Sequence, residues 1–160
     1  MTRVSALALM PVLASALAPA ACAHQTPTAV RARVIATAQA EAGLPAPGAV
    51  DWVGTVLYRT RARPTATTAH PAAGDLVVFD PGERGIVTRT DPDGRVHFLF
   101  VKAGAVRAGV LSLRHPGLRR DRNGRLLNTY VKARRIDDPP GARYLAGELW
   151  SAFSVLDAAD

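Results

Sequence analysis

Cysteine is nearly absent from this sequence. Cys22 is the only cysteine among 160 residues, so beyond it the chain has no thiol for a disulfide, a nucleophile or a cysteine-ligated metal site. A glycine-rich phosphate loop, a cluster of metal-ligand residues and a serine in a Gly-x-Ser-x-Gly context are also missing. The sequence therefore predicts no cofactor and no metal, and it argues against cysteine or serine catalysis in the main part of the chain.

Charge is scarce at the start of the chain. Within the first 23 residues Arg3 is the only charged residue, an apolar run extends from Val4 to Ala18, and small residues follow. This order is typical of a secretory signal peptide, and the apolar run is too short for a stable transmembrane span. We therefore predict a signal peptide over residues 1–23 and an exported protein, either periplasmic or secreted.

The stretch "LAPAAC" leaves two outcomes of export open. It resembles the lipobox of bacterial lipoproteins, in which the cysteine, here Cys22, is lipidated and becomes the first residue, although Pro19 departs from that pattern. A single acylated terminus would tether the protein to a membrane without spanning it. The alternative is cleavage after Ala20 or Ala23, where small residues suit a signal peptidase.

Acidic residues are nearly absent from residues 102–135. Between Lys102 and Arg135, Asp121 is the only acid against ten basic residues. The ten are Lys102, Arg107, Arg114, Arg119, Arg120, Arg122, Arg125, Lys132, Arg134 and Arg135. Such a surplus favours a polyanionic partner, which for an exported protein means peptidoglycan or another anionic envelope polymer before nucleic acid. The alternative is a solvated basic face that keeps the protein soluble.

Periodicity and turn residues predict an α+β fold in a single domain over residues 28–156. One helix is predicted from Thr28 to Gly43, and a second begins with Asp51 at its N-cap. After a loop rich in Pro, Thr and Ala, strands are predicted over 75–80, 84–90, 95–102 and 104–113. The "DPDG" between the second and third of these is a strong hairpin signal.

The last third of the chain gives two further predictions. Asn123-Gly124 is a turn signal and suggests another hairpin. The stretch over 142–156 places Leu145, Leu149, Trp150 and Phe153 on one face at helical spacing, and it therefore predicts a C-terminal helix.

Three local patterns, taken in order, resemble the NlpC-type cell-wall peptidases and the related CHAP amidases. Their nucleophile helix begins Asp-Cys-Ser-Gly, and "DWVGTV" at 51–56 stands in that place. Their Gly-Asp-Leu-Val strand entry is matched by "GDLVVF" at 74–79, and the end of their His-Val-Gly-Ile-Val strand by "ERGIV" at 83–87. The resemblance covers about residues 28–153 and implies a papain-like fold, with N-terminal helices packed on an antiparallel sheet.

The resemblance also implies which residues stand where the family has its catalytic groups. In that chemistry a thiolate at a helix N-terminus is activated by an imidazole, whose tautomer is fixed by a third polar group. Here Trp52 replaces the cysteine, Glu83 the histidine and Phe100 the third group, and none has the required chemistry. We therefore expect an inactive relative that works by binding. The candidate ligand-binding residues are Asp51, Trp52, Glu83, Arg84, Arg119, Arg120 and Arg122.

Two other hypotheses remain open. Asp51 and Glu83 would form a carboxylate pair in the manner of a glycosidase, giving an active peptidoglycan hydrolase without a cysteine. The chain would otherwise be a polyanion-binding envelope module whose family resemblance is incidental. His97 alternates with Phe100 along its strand and is expected to point to the other face, and His70 and His115 are expected in exposed loops.

Overall fold

The computed structural model describes residues 27–46 and 51–159 of the chain. Six antiparallel strands form one sheet in the order β1-β6-β2-β3-β4-β5. The helices are α1 (Pro27–Ala40), α2 (Trp52–Thr60) and α3 (Ala146–Leu149). The strands are β1 (Ala62–Thr68), β2 (Leu76–Phe79), β3 (Glu83–Thr90), β4 (Arg95–Lys102), β5 (Ala105–Ser112) and β6 (Trp150–Ala158). The α+β prediction is confirmed at this level.

Helices α1 and α2 cover one face of the sheet. Every fourth residue of α1 is fully buried, at Val30, Val34 and Ala38, because positions four apart share one side of a helix. They pack with apolar residues of α2 and with the sheet residues Leu76, Ile86, Leu99, Val106 and Leu156 in one cluster. The prediction that N-terminal helices pack on an antiparallel sheet is confirmed.

The "GDL" stretch fastens α1 to the sheet. Gly74 has φ +93°, and a Cβ at this position would lie 2.6 Å from Cβ and 2.8 Å from Cα of Arg31. Asp75 is fully buried and accepts a hydrogen bond from Nε of Arg31 at 2.8 Å and another from the N–H of Ala72 at 2.8 Å. The motif that carries the family resemblance thus has a structural role here.

The opposite face of the sheet is covered by the chain that follows β5. Phe79, Phe98 and Phe100 form a tilted aromatic row with ring centroids 5.1 and 5.3 Å apart. Val131, Ala146 and Leu149 of the covering segment pack against this row, together with sheet residues Val77, Val87, Val96, Leu111 and Phe153. The sheet therefore separates two cores, and side chains on its two faces do not meet.

The predicted C-terminal helix over 142–156 is wrong. One helical turn forms at Ala146–Leu149, and the following nine residues are β6, which pairs with β1 on one side and β2 on the other. Phe153 faces one core and Leu156 the other, so the segment contributes to both cores as a central strand. The helical spacing of its apolar residues is overridden by the backbone hydrogen bonds available in that slot.

Two smaller expectations also need correction. Residues 62–68, predicted as loop, form the edge strand β1, which tolerates Pro64 because only one side of the strand is paired within the sheet. Asn123-Gly124 lies in a turn with Gly124 at φ +78°, but the flanking residues make a single isolated bridge, between Arg120 and Leu126.

The predicted β3–β4 hairpin is confirmed. "DPDG" closes it, with the N–H of Asp91 donating to the carbonyl of Arg95 at 2.8 Å. Strand β5 forms within the strand predicted over 104–113. The predicted signal peptide and Cys22 lie outside the described residues. No helix in the described ranges is both long and apolar enough to cross a membrane.

Candidate functional site

Trp52 is a core residue and not an exposed aromatic surface. Only 2% of it is exposed, and its ring packs in the cluster between the helices and the sheet. Its Nε1–H donates a 2.6 Å hydrogen bond to Oε2 of Glu41, whose Oε1 accepts from Arg59 at 2.6 Å. The carboxylate thus ties the end of α1 to both ends of α2. Because the indole is covered, Trp52 offers no platform to a ligand.

Asp51 is at the N-cap position of α2 but its side chain makes no capping hydrogen bond. It is engaged instead by the guanidinium of Arg84 on β3. Arg84 shares the helix-covered face with Ile86, because strand side chains alternate. Glu83, one residue earlier, therefore points to the other face and is exposed. The two carboxylates of Asp51 and Glu83 do not form a pair.

The three positions carried over from the cysteine-peptidase resemblance do not converge. Trp52 belongs to the core on the helix side, whereas Phe100 is 1% exposed within the aromatic row on the opposite side. Glu83 lies on the same face of the sheet as Phe100, but it is the first residue of β3 and is exposed to solvent. The expectation that these positions share a cleft is wrong, and the residue that faces the start of α2 is Arg84.

The basic run is exposed but is not one continuous site. Arg119 lies over the Tyr130 ring, with its guanidinium carbon 5.1 Å from the ring centroid. Arg120 bonds the carbonyl of Gly124 within the turn, and Arg122 is exposed at the turn itself. Arg125 leaves this region altogether, because it pairs with Asp93 at 2.7 Å. Of the three candidate arginines in this run, Arg119 is the one whose contact with Tyr130 places it beside the cavity described next.

A cavity of about 400 Å³ opens beside the end of β4, lined by Lys102, Tyr130, Lys132, Ala133, Arg134 and Tyr144. We call this the basic cleft. Lys102 donates to the Tyr130 carbonyl and has its Nζ 5.8 Å from the centroid of that ring. Lys132 lies 5.9 Å from the centroid of Tyr144. Each aromatic ring is therefore contacted by at least one cation.

Positive charge in the basic cleft is only partly neutralised. Asp138 is the carboxylate next to it: it accepts from Tyr144 Oη–H at 2.8 Å and from the Arg135 N–H at 2.6 Å, and Lys132 lies 3.7 Å from it. Those two hydrogen bonds lower the pKa of Asp138, so it stays ionised. Burial, and secondly repulsion from Arg119, lower the pKa of Lys102. A nearby anion would favour the charged ammonium and so raise the pKa of Lys102 again.

The pattern that could have found this site is the placement of aromatic residues within the basic run. Tyr130 stands two residues before Lys132 in "NTYVKARR", and Tyr144 follows nine residues after the end of the run. Charge counting alone favoured Arg120 and Arg122, because it does not show which cations a loop brings together. Lys102 and Tyr130 are 28 residues apart in sequence, and only the folded chain places them side by side.

His97 is held in an ion-pair network near the β3–β4 turn. Its Nε2 lies 2.9 Å from Oδ2 of Asp91, which also pairs with Arg95 at 2.6 Å. Arg89 contacts the same imidazole at 3.1 Å and Asp91 Oδ1 at 3.2 Å. His97 lies on the face opposite Phe100, as predicted, and it has a structural role in this network.

Asp91 is expected to make the stability of the protein sensitive to acid. The hydrogen bond from His97, followed by the charges of His97, Arg89 and Arg95, lowers the pKa of Asp91. A lowered carboxylate pKa contributes stability above the unfolded value, near 3.9, and that contribution is lost as pH falls through the folded value. Asp91→Asn should cost about 1–2 kcal/mol at pH 7 and flatten the acid limb of the stability curve.

Urea unfolding between neutral and strongly acidic pH measures this effect. Asp137→Asn, which changes an exposed loop carboxylate, is the control and should keep the wild-type pH profile. An unchanged acid limb in Asp91→Asn would show that the network adds nothing to stability.

Among the described residues, no group of three or more His, Cys, Asp and Glu side chains is arranged to hold a metal ion. Comparison of the chain with protein-family models, with curated proteins and with solved structures finds no match.

Proposed function

We propose that this protein is an exported cell-envelope protein that binds peptidoglycan or another anionic envelope polymer through the surface around the basic cleft. The observation that carries the proposal is the convergence of Lys102, Lys132 and Arg134 on one cavity, with Arg119 alongside. Arg120 and Arg122 are exposed at the turn over residues 121–124 and add positive charge outside the cavity. Cations both at the cavity and outside it attract a repeating anionic chain, which carries more than one charge.

The N-terminal sequence supports the location. A signal peptide over residues 1–23 would export the domain, and the residues that follow keep six of the seven surplus positive charges because Arg3 is the only charge before them. Lipidation of Cys22 would add a membrane tether, which would keep the basic cleft within the envelope. Nucleic acid is not expected as a partner in that compartment.

A papain-like domain of the NlpC or CHAP type that has lost catalysis is the ancestry we propose. In that family a base on the sheet faces the nucleophile at the start of a helix. Here Trp52 replaces the nucleophile, and the side chain that meets the start of α2 is Arg84, paired with Asp51. A guanidinium stays protonated at all ordinary pH values, so it cannot accept a proton from a nucleophile. This arrangement favours binding over hydrolysis.

Purified protein without its signal peptide is expected to sediment with isolated cell-wall sacculi at low salt. The bound fraction should fall steeply as salt approaches 1 M, where the screening length is about 3 Å. Replacing Arg120 and Arg122 together by glutamine should weaken binding about three- to tenfold, because each exposed charge contributes a few tenths to about 1 kcal/mol.

Arg61→Gln combined with Arg63→Gln is the matched control, since it removes the same charge from the exposed region where α2 meets β1. An equal loss of binding to sacculi in both double variants would show that binding depends only on the net charge of the protein. That result would support the hypothesis of a polyanion-binding module whose family resemblance is incidental. The same incubation should release no amines and no reducing ends. Release that disappears in Glu83→Ala would overturn the inactive reading and restore the hydrolase hypothesis.

A further inference from the structure

We propose that the basic cleft is a subsite for one anionic sugar unit, that is, a sugar ring carrying a carboxylate or a phosphate. The inference rests on the proposed function, because it assigns to that polymer-binding surface the chemical unit that it recognises. It concerns Lys102, Tyr130, Lys132, Arg134 and Tyr144, which line the cavity.

The lining of the basic cleft carries unbalanced positive charge. Three cations border the cavity, and Arg119 stands on the Tyr130 ring beside them. The neighbouring carboxylate, Asp138, already accepts hydrogen bonds from Tyr144 and from the Arg135 backbone. Lys102 is bonded to a neutral carbonyl oxygen, that of Tyr130. A ligand anion would give these cations the partner that one aspartate does not supply.

The size of the cavity matches a small-molecule ligand. The cavity of about 400 Å³ is within the range of small-molecule sites, about 300–1,000 Å³. One water occupies about 30 Å³ in the liquid, so the space exceeds what a bare phosphate or carboxylate group would fill. A ligand that fills this space would bring an uncharged body as well as its charge.

The walls of the basic cleft are partly aromatic and partly aliphatic. Tyr130 is 43% exposed, and the Tyr144 ring and the aliphatic stem of Lys102 add further apolar surface to the lining. Flat aromatic surface combined with a few fixed donors suits a ligand with a weakly polar ring and one charged substituent. The guanidinium of Arg134 supplies a planar fork that fits carboxylate and phosphate alike.

Three sugars that differ only at one carbon test the proposal: glucose, glucuronate and glucose 6-phosphate. Titration calorimetry of the protein without its signal peptide should detect at least one of the charged sugars, binding about tenfold or more tightly than glucose. Preference for glucuronate identifies a carboxylated polymer as the source, and preference for glucose 6-phosphate identifies a phosphorylated one. Inorganic phosphate should bind more weakly than whichever charged sugar is preferred, because phosphate lacks the sugar ring.

Arg134→Gln should weaken the preferred sugar about tenfold, and Lys102→Met should do the same while keeping an aliphatic stem in the wall. Arg134 is exposed, so its variant tests the cleft even if loss of Lys102 disturbs folding. Arg114→Gln is the control. This substitution removes one charge from the basic run at the opposite end of β5. There, Arg114 Nε lies 3.8 Å from the position that a Cβ on Gly94 would occupy. The variant should bind sugar as the wild type does.

Equal affinity for glucose and the charged sugars would overturn the proposal, and so would inorganic phosphate binding as tightly as glucose 6-phosphate. If no sugar binds while the protein still sediments with sacculi, the subsite is refuted and the proposed function stands. If the protein neither binds a charged sugar nor sediments, the proposed function fails with it.

Discussion

Replacing Trp52 with alanine is expected to lower the free energy of unfolding by about 3–5 kcal/mol. The indole is 2% exposed and lies where α1, α2 and the sheet meet, so truncation leaves a cavity that three rigid elements cannot close. Marginal stabilities of about 5–15 kcal/mol make this a large fraction of the total. Urea unfolding followed by far-UV circular dichroism measures it.

Conservative variants separate packing from hydrogen bonding. Trp52→Phe retains an aromatic ring but removes the bond to Glu41, and it should cost about 1–3 kcal/mol. Trp150→Phe is the matched control, because Nε1 of Trp150 is buried without a hydrogen-bond partner among the described residues, and its loss should cost less. A Trp52→Ala protein with wild-type stability and reduced polymer binding would show instead that the indole is a ligand platform.

Gly74→Ala is expected to destabilise the protein by about 2–5 kcal/mol, the second-largest effect we predict. At φ +93° a side chain is strained, by at least the 1–2 kcal/mol of a left-handed residue. The added Cβ would also meet the Arg31 backbone at 2.8 Å, which forces α1 to move or the sheet entry to distort, at about 1–3 kcal/mol. Thermal and urea unfolding both report the change.

Gly43→Ala is the control for backbone strain alone. Its φ is +82°, and nothing lies within 4 Å of the added Cβ, so it should cost only the strain of a left-handed residue, about 1–2 kcal/mol. The difference between the two variants measures the contact between α1 and the sheet. Equal costs would mean that α1 shifts at Arg31 with little loss of stability. The "GDL" stretch would then not fasten α1 to the sheet.

The helix-side core could be predicted from the sequence because its signals are local. Val30, Val34 and Ala38 are four residues apart, so they form an apolar stripe on one side of a helix. This stripe does not depend on the element that packs against it. "DPDG" similarly fixes the β3–β4 turn through the conformations of four adjacent residues. Such patterns depend on neighbours along the chain, and the structure confirms the elements they predict.

The C-terminal strand could not be predicted in the same way. Leu145, Leu149 and Phe153 have helical spacing, yet β6 occupies the slot between β1 and β2. That slot is created by residues about 80 positions away in sequence, since Phe153 pairs with Val77 and with Thr68. Local spacing has no information about such partners, so the tertiary hydrogen bonds decided the outcome.

The candidate site shows the same division. The sequence by itself determined that the second half of the chain is basic, that no cysteine follows Cys22, and that Trp52 holds a position without nucleophilic chemistry. Only the tertiary structure decided that Trp52 and Phe100 lie on opposite faces of one sheet and that Lys102 meets Tyr130 and Arg134 at a cavity. Composition and charge are properties of residues taken singly. A cleft is a property of distances between residues far apart in sequence, which are set only when the sheet forms and its two cores pack.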